Sequence, residues 1–561
     1  MSKENVSIYQ LKFHKFLLLS ISVLVLVSFN SFSQSHHDWS YNRCIYEVNV
    51  RQYTQSGTFA EFATHLDRLK NMGVGILWFM PIHPIGIVNR LGTLGSYYSV
   101  KDYYGVNSEF GTFEEFKTLV DSIHAKGMVV LMDWVGNHTA WDNSLTITHP
   151  EWYVTDSSGN FISPPGTNWT DVIQLDYSQQ GLRDYMIDAM KFWINEAGID
   201  GFRCDAVSFM PLDFWTEAIS ELKSLKPEIF MLAEDDGTQY QAVGFDMTYA
   251  WVYHGFGGGI LNNLVAGTNN ANALNSYVNS ENIYFSPSHY RMYFTSNHDE
   301  NSWFGTDFEQ FGDATEEFIV LTSTFRSMPL IYSGEEAGLN HRLLFFDKDE
   351  IIWQPHPFAN IYSTLFNLKK ANKALWNGDE GGQLQRITTT NNPSIFAFLR
   401  EKQDCRVFEI FNLTNQEKTF TLQGNLYTGS YRDAFSNDSV YFSQNTYMTL
   451  PAWGYRVYES GSGIILAQND KISLNGFTLS RNYPNPFNPA TRIKYSIQQP
   501  ANVLIKVYDP LGKEIETLVD EYKSAGIYEI LFNAKNLSSG VYFYKMVSGN
   551  YSETNKMILL K

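Results

Sequence analysis

Arg203 and Asp205 stand two apart in DGFRCDAVSF (200–209), which on a strand sends both charges to one face and Phe202 and Cys204 to the other. Charged and polar residues finish other apolar runs in the same way. Asp133 is followed by Asn137 and His138, Glu234 comes near the end of IFMLAED (229–235), and Asn297, His298 and Asp299 close RMYFTSNHD (291–299). Taken singly, each has a structural explanation: a buried salt bridge, a loop cap, a solvated rim carboxylate. Taken together they are carboxylates, imidazoles and a guanidinium, the groups that hold and move protons. Structural ion pairs have no reason to gather only at strand ends, so what matters is which elements would bring these four segments to one place.

From about 42 to 375, short β-rich runs alternate with helical patterns. IYEVNV (45–50) precedes a helix-period stretch and GVGILWFMP (73–81) follows it; MVVLMDWV (128–135), IDGFRCD, IFMLAED, FDMTYAW, RMYFTSNHD and PLIYSGEEAG complete eight runs. Eight such repeats predict an α/β fold of the (β/α)8 TIM barrel type, whose functional residues collect at the C-terminal rim. A doubly wound open sheet is the alternative, but no GxGxxG follows the first strand. Some 40 residues between the third strand and its helix, rich in Trp, Asn, Gly and Pro, predict a small inserted domain at 136–178 overhanging that rim. After about 380 the helical period gives way to alternation, which predicts a β-sandwich at 380–459, a linker at 460–472 and a separate all-β module at 473–561.

Composition narrows the partners. The net charge of −18 disfavours nucleic acid and anionic lipid, and 16% aromatic content suits stacking on sugar rings as well as core filling. Cys44, Cys204 and Cys405 are too few and too scattered for a disulfide framework, and neither CxxC nor HExxH is present. Lys3, Lys12 and Lys15 before the apolar run 16–29, with Ser31 and Ser33 after it, read as a cleaved export signal over residues 1–33. That run is shorter than the roughly 20 residues of a bilayer span, and no second candidate span follows, so the mature protein is expected outside the cytoplasm with no membrane crossing.

DWVGNH (133–138), GFRCDAVSF (201–209), FMLAED (230–235) and FTSNHD (294–299) resemble, in order, the four motifs of the α-amylase family of glycoside hydrolases. GVGILWFMP, VIQLD (172–176) and GEEAG (334–338) match it too, and the resemblance runs over roughly 42–460. It implies a retaining hydrolase of α-glucosidic, mainly α-1,4, bonds in starch-like glucans. Asp205 matches the nucleophile, Glu234 the general acid/base and Asp299 the third carboxylate. His138, His298 and Tyr98 match contacts to the sugar being cleaved. Arg203 is expected to keep Asp205 ionised by lowering its pKa, and Glu234 to be raised so that it carries a proton.

Two departures bear on specificity and cofactors. Ser208 and Phe209 stand where many relatives carry a Lys-His pair, so leaving-group contacts must differ. The family's structural calcium would use Asn137, but Gln174 replaces the usual Asp, leaving Asp171 as the compensating candidate. The alternatives are an α-glucosidase, a cyclomaltodextrinase or a transglycosylase such as a trehalose synthase on short oligosaccharides, or a barrel that only binds glucan. The tail, with FTLSRNYPNPFNPATRIKYSI, VYDPLGKEIETL, SSGVYFYKM and KMILLK, resembles the C-terminal sorting domain of the type IX secretion system, which implies that export machinery as a partner and a secreted or surface-attached product.

Overall fold

The computed structural model describes residues 36–461, 478–482, 485–497, 501–523, 526–549 and 551–561. The export signal expected at 1–33 and linker residues 462–472 lie outside these residues. Two compact units divide the chain at Ile464 and Ile465.

In the first unit, β1 (Ile45–Val48), β2 (Ile76–Phe79) and β3 (Val129–Trp134) are followed by a short antiparallel pair, β4 (His138–Ala140) and β5 (Val172–Gln174). Then come β6 (Gly201–Cys204), β7 (Phe230–Ala233), β8 (Met247–Tyr249), β9 (Tyr290–Tyr293) and β10 (Met328–Tyr332). All but the antiparallel pair close into a barrel in the order β1-β10-β9-β8-β7-β6-β3-β2, every neighbour parallel. The expected eight-stranded architecture is therefore present, with the β4–β5 ribbon in the segment inserted after β3.

Local chemistry explains the outer layer. Thr112 and Glu115 form a reciprocal cap at the start of helix Phe113–Ala125, and its Phe116, Leu119, Val120 and Ile123 recur at helical spacing as the buried stripe. The barrel strands alternate. Ile76, Trp78, Leu131, Leu232, Met247 and Met292 fill the inside, whereas Leu77, Val130, Phe202 and Cys204 belong to the core shared with the surrounding helices. Gly201 has to be glycine, because a Cβ there would lie 2.1 Å from the Phe230 carbonyl oxygen on β7.

The strands are shorter than their apolar runs. β1 stops at Val48 because the Asn49 side chain accepts from Gln52 N–H and starts a helical turn, Val50–Tyr53. Asp205 and Glu234 lie one residue beyond β6 and β7. Their N–H groups still continue the ladder, to Trp134 O and Cys204 O, each at 3.0 Å. Asn297 lies in the connection after β9, and His298 and Asp299 open the helical turn that follows it.

The barrel leads into β11 (Leu384–Ile387), β12 (Ile395–Lys402), β13 (Cys405–Asn412), β14 (Lys418–Thr421), β15 (Gly429–Asp433), β16 (Ser439–Phe442), β17 (Tyr447–Leu450) and β18 (Tyr455–Ser460). Six of these form one sheet, ordered β11-β12-β13-β18-β15-β16, and β14 pairs with β17. Ile395, Ala397, Leu399, Phe408 and Ile410 face the sandwich core, while Phe396, Phe398, Val407 and Phe411 pack into the barrel's own core. Alternate residues of β12 and β13 thus bury both faces. The described residues of the second unit form a three-stranded and a four-stranded β-sheet around Ile493, Ile505, Val507, Tyr544 and Met557.

Candidate active site

Arg203 is the centre of the site. It is fully buried, and its Nη1 donates to Asp133 Oδ1 and to Asp205 Oδ1, each at 2.9 Å. Nη2 lies 2.8 Å from Glu234 Oε1, and Nε donates to Tyr249 Oη at 3.1 Å. One planar guanidinium from β6 therefore hydrogen-bonds Asp133 on β3 and Asp205 just beyond β6 and forms an ion pair with Glu234 just beyond β7, which brings Asp205 and Glu234 together on adjoining nitrogens. Glu234 is fixed at its other oxygen as well. Oε2 accepts from Ala206 N–H at 2.7 Å, and Ala206 holds φ at +43°, a left-handed conformation that costs a non-glycine residue about 1 kcal/mol or more. Strain directly after Asp205 aims that N–H at Glu234.

The two acids differ in proton affinity. Burial raises the Asp205 carboxyl to about 6, opposed by Arg203 and reinforced by Asp133 and Asp299. The expected lowering by Arg203 is real in sign but loses to desolvation and to like charge, which corrects the sequence reading. Burial raises Glu234 further, to about 8, with Asp205 and Asp299 adding to it and Arg203 and the Ala206 N–H opposing. Asp133, fully buried and held by Arg203 and by Trp78 Nε1 at 3.3 Å, rises to about 6, again through burial.

The remaining expected residues close around this centre. His298 Nε2 lies 2.7 Å from Tyr98 Oη and 3.5 Å from Asp299 Oδ2, and its ring stacks on Tyr98 at 5.4 Å. Tyr98 Oη donates to Asp133 Oδ2 at 3.2 Å. His138 is buried, with Nε2 3.2 Å from Tyr98 O, and burial pulls its pKa down to about 4. It is a neutral imidazole beside Trp169, whose ring lies 5.4 Å away. Asp205, Glu234, Asp299, Arg203, His298, Tyr98 and His138 thus form one connected neighbourhood. Three contributors escaped sequence reading, Glu47, Tyr249 and Ala206, while Asp133 stood out at its strand end without a role assigned to it. Glu47 did leave a signal, as a lone carboxylate inside the apolar IYEVNV.

The residues expected to hold calcium lie on the β4–β5 ribbon. Gln174 Nε2 donates to Asn137 Oδ1 at 2.7 Å, to Asn137 O at 3.3 Å and to Leu175 O at 3.1 Å. An amide N–H2 therefore occupies the oxygens that a hard cation would need at about 2.3–2.6 Å. Asp171 is elsewhere. His138 pairs with Gln174 and Ala140 with Val172, which sets Asp171 about 13 Å along the ribbon from Asn137. The register of β4 and β5 thus places Asn137 and Asp171 at separate points of the ribbon. Among the described residues no group of three or more His, Cys, Asp or Glu is placed to hold a metal ion.

Comparison with known proteins gives three matching family models. "Alpha amylase, catalytic domain" matches residues 28–382, "Maltogenic Amylase, C-terminal domain" matches 385–457, and "Secretion system C-terminal sorting domain" matches 481–560. Alpha-amylase 3 of Dictyoglomus thermophilum is 25% identical over 72% of this chain and 92% of its own length. An alpha-1,4-glucan:maltose-1-phosphate maltosyltransferase of Picrophilus torridus is 28% identical over 64% of this chain and 59% of its own. Among solved structures, a maltogenic alpha-amylase from Thermotoga neapolitana superposes with TM-score 0.67 at 28% identity, covering 75% of this chain and 99% of that one. An alpha-amylase from Lactobacillus plantarum gives TM-score 0.66 at 29% identity, covering 75% and 99%.

Proposed function

Since the chain belongs to the α-amylase family of glycoside hydrolases and carries a type IX C-terminal sorting domain, we propose that it is an exported retaining hydrolase of mainly α-1,4 bonds in starch-like glucans. The observation that carries this reading is the single guanidinium of Arg203 between two acids of unequal proton affinity. Near neutral pH Asp205 is ionised and Glu234 holds its proton, the division of labour that double displacement needs at carboxyl separations of about 5–5.5 Å.

In the first step an Asp205 oxygen bonds to the anomeric carbon as the glycosidic C–O bond breaks, and Glu234 passes its proton to the departing oxygen. In the second, Glu234 takes a proton from water, whose oxygen bonds to the same carbon and releases Asp205. Asp299 grips sugar hydroxyls as the ring flattens, with Tyr98 and His138 lining the cleaved sugar, and binding that strengthens at that point lowers the barrier. Proton NMR of the first product tests the mechanism: α-configured product is expected, and initially β-configured product would end this reading.

The same values set the pH profile. Asp205 has to be ionised and Glu234 protonated in the free enzyme, so kcat/KM is expected to rise through about pH 6 and fall through about pH 8. A plateau extending below pH 5 would count against the assignment. Because the Gln174 amide N–H2 already donates to the Asn137 oxygens, excess EDTA is expected to leave both Tm and rate unchanged. Activity lost to chelation and restored by calcium would overturn this.

Phe209 favours a second reading, a transglycosylase on short chains. It is 40% exposed and packs beside Trp169, ring centres 5.8 Å apart, so an apolar wall stands where relatives place a Lys-His pair. Such a wall suits a sugar acceptor over water. Product identification on amylose, pullulan, cyclodextrin and maltose separates the readings: shorter fragments only for the hydrolase, longer or rearranged oligosaccharides from maltose for the transferase.

A further inference from the structure

Three contacts around Tyr98 Oη determine a charge on its neighbour. Arg203 Nη1, which only donates, lies 3.5 Å from it, and Asp133 Oδ2, an acceptor when ionised, lies at 3.2 Å. If the hydroxyl proton points at Asp133, the third neighbour, His298 Nε2 at 2.7 Å, has to carry a proton toward Tyr98. The reverse arrangement, with Tyr98 donating to the imidazole, leaves the phenol oxygen facing a buried carboxylate oxygen with no proton between them. It also turns a bare Nε2 toward Asp299 Oδ2, 3.5 Å away.

The other ring nitrogen is equally constrained. Nδ1 lies 2.5 Å from Glu47 Oε1, and Glu47 reaches it from β1 with no exposure to water. A contact this short needs a hydrogen between the two atoms, and the ring supplies it as an Nδ1–H donating to the Glu47 carboxylate. Both ring nitrogens then carry hydrogen. Tyr98 stacks on the ring, and Trp78 lies edge-on at 6.0 Å, which keeps bulk water from screening the pair.

We propose that Glu47 is a positioning residue that holds His298 as an imidazolium, and that this second cation beside Arg203 keeps Asp205 ionised among its carboxylate neighbours. Five carboxyl groups meet in this neighbourhood, Glu47 from β1, Asp133 from β3, and Asp205, Glu234 and Asp299 from the segments beyond β6, β7 and β9, against the one guanidinium of β6. β10 contributes the neutral phenol of Tyr332, bonded to Asn49 at 2.9 Å. The electrostatics agree with the geometry. Burial pulls the His298 ring down, but Asp299 and Glu47 outweigh it and bring the value to about 9, and His298 in turn lowers Asp205. The part played by Asp205 rests on the glycosidase reading; the charge on His298 does not.

Ring-nitrogen NMR of the full-length protein labelled with 15N-histidine tests this, with His298→Gln used only to assign the signal. In the unaltered protein His298 is expected to be doubly protonated at pH 7.5 and to lose a proton near pH 9. In Glu47→Gln it is expected to be neutral at pH 7.5, its proton affinity reduced at least 100-fold, with the acid limb of kcat/KM moved up by about one pH unit. A neutral His298 in the unaltered protein, or one still charged in Glu47→Gln, overturns the charge assignment. A neutral ring in Glu47→Gln with an unmoved acid limb overturns its effect on Asp205. Should Glu47→Gln fail to fold, the titration of the unaltered protein still decides the charge. None of the NMR readings requires glucan turnover, so a protein inactive on glucans with a charged His298 refutes the glycosidase reading alone.

Discussion

Asp205→Asn is expected to lower kcat on maltooligosaccharides by about 10⁴-fold or more, over 5 kcal/mol of lost transition-state stabilisation, while the protein remains folded. The size follows from the role proposed for this oxygen, because an amide cannot form the glycosyl-enzyme bond. Folding is expected to survive because Asn keeps the shape and an oxygen for Arg203 Nη1, while Arg203 retains Asp133 and Glu234 as partners. Steady-state rates and far-UV circular dichroism, measured on the same preparation, check both halves. A variant with near-normal turnover would remove Asp205 from the chemistry, whatever its geometry.

Arg203→Met is expected to lose both stability and activity. It leaves Asp133, Asp205 and Glu234 buried without their shared cation, and removing one partner of a buried ion pair costs about 3–5 kcal/mol. The sign of the pH dependence follows from the direction of the shifts. Asp205 and Asp133 are already raised above their unfolded values, to about 6, so their contribution is fully present below the unfolded carboxyl pKa and is lost as pH rises through the folded one. Without Arg203 the folded values climb further, so the deficit is expected to be larger at pH 8 than at pH 5. Urea denaturation at the two pH values measures it. Equal losses at both would mean that packing, not charge, is what Arg203 supplies. The rate at pH 6 is expected to fall at least about 10³-fold, over 4 kcal/mol, because Asp205 would then be mostly protonated and neither acid would be held in place by Arg203.

Much of this was legible in the residues. Alternation of apolar runs with helical periods gave eight strands in order, and the two-apart spacing of Arg203 and Asp205 separated an inner polar face from the outer Phe202 and Cys204 face, as the packing shows. These features are local, set by side-chain periodicity and by turn chemistry such as the Thr112–Glu115 cap. The sorting module was equally readable, because its signal lies in contiguous words of sequence.

Tertiary structure decided the rest. No spacing along the chain says that one guanidinium spans Asp133, Asp205 and Glu234, that Glu47 lies against a histidine 251 residues away, or that the Gln174 amide reaches the Asn137 oxygens. Proton affinity is the clearest case. Sequence supplied the sign of the Arg203–Asp205 interaction, but the net shift is a difference between desolvation and the summed field of groups from several strands. Residue types and order settled which groups were available and which fold would carry them. Burial and distance, which exist only after the barrel closes, settled which group holds a proton.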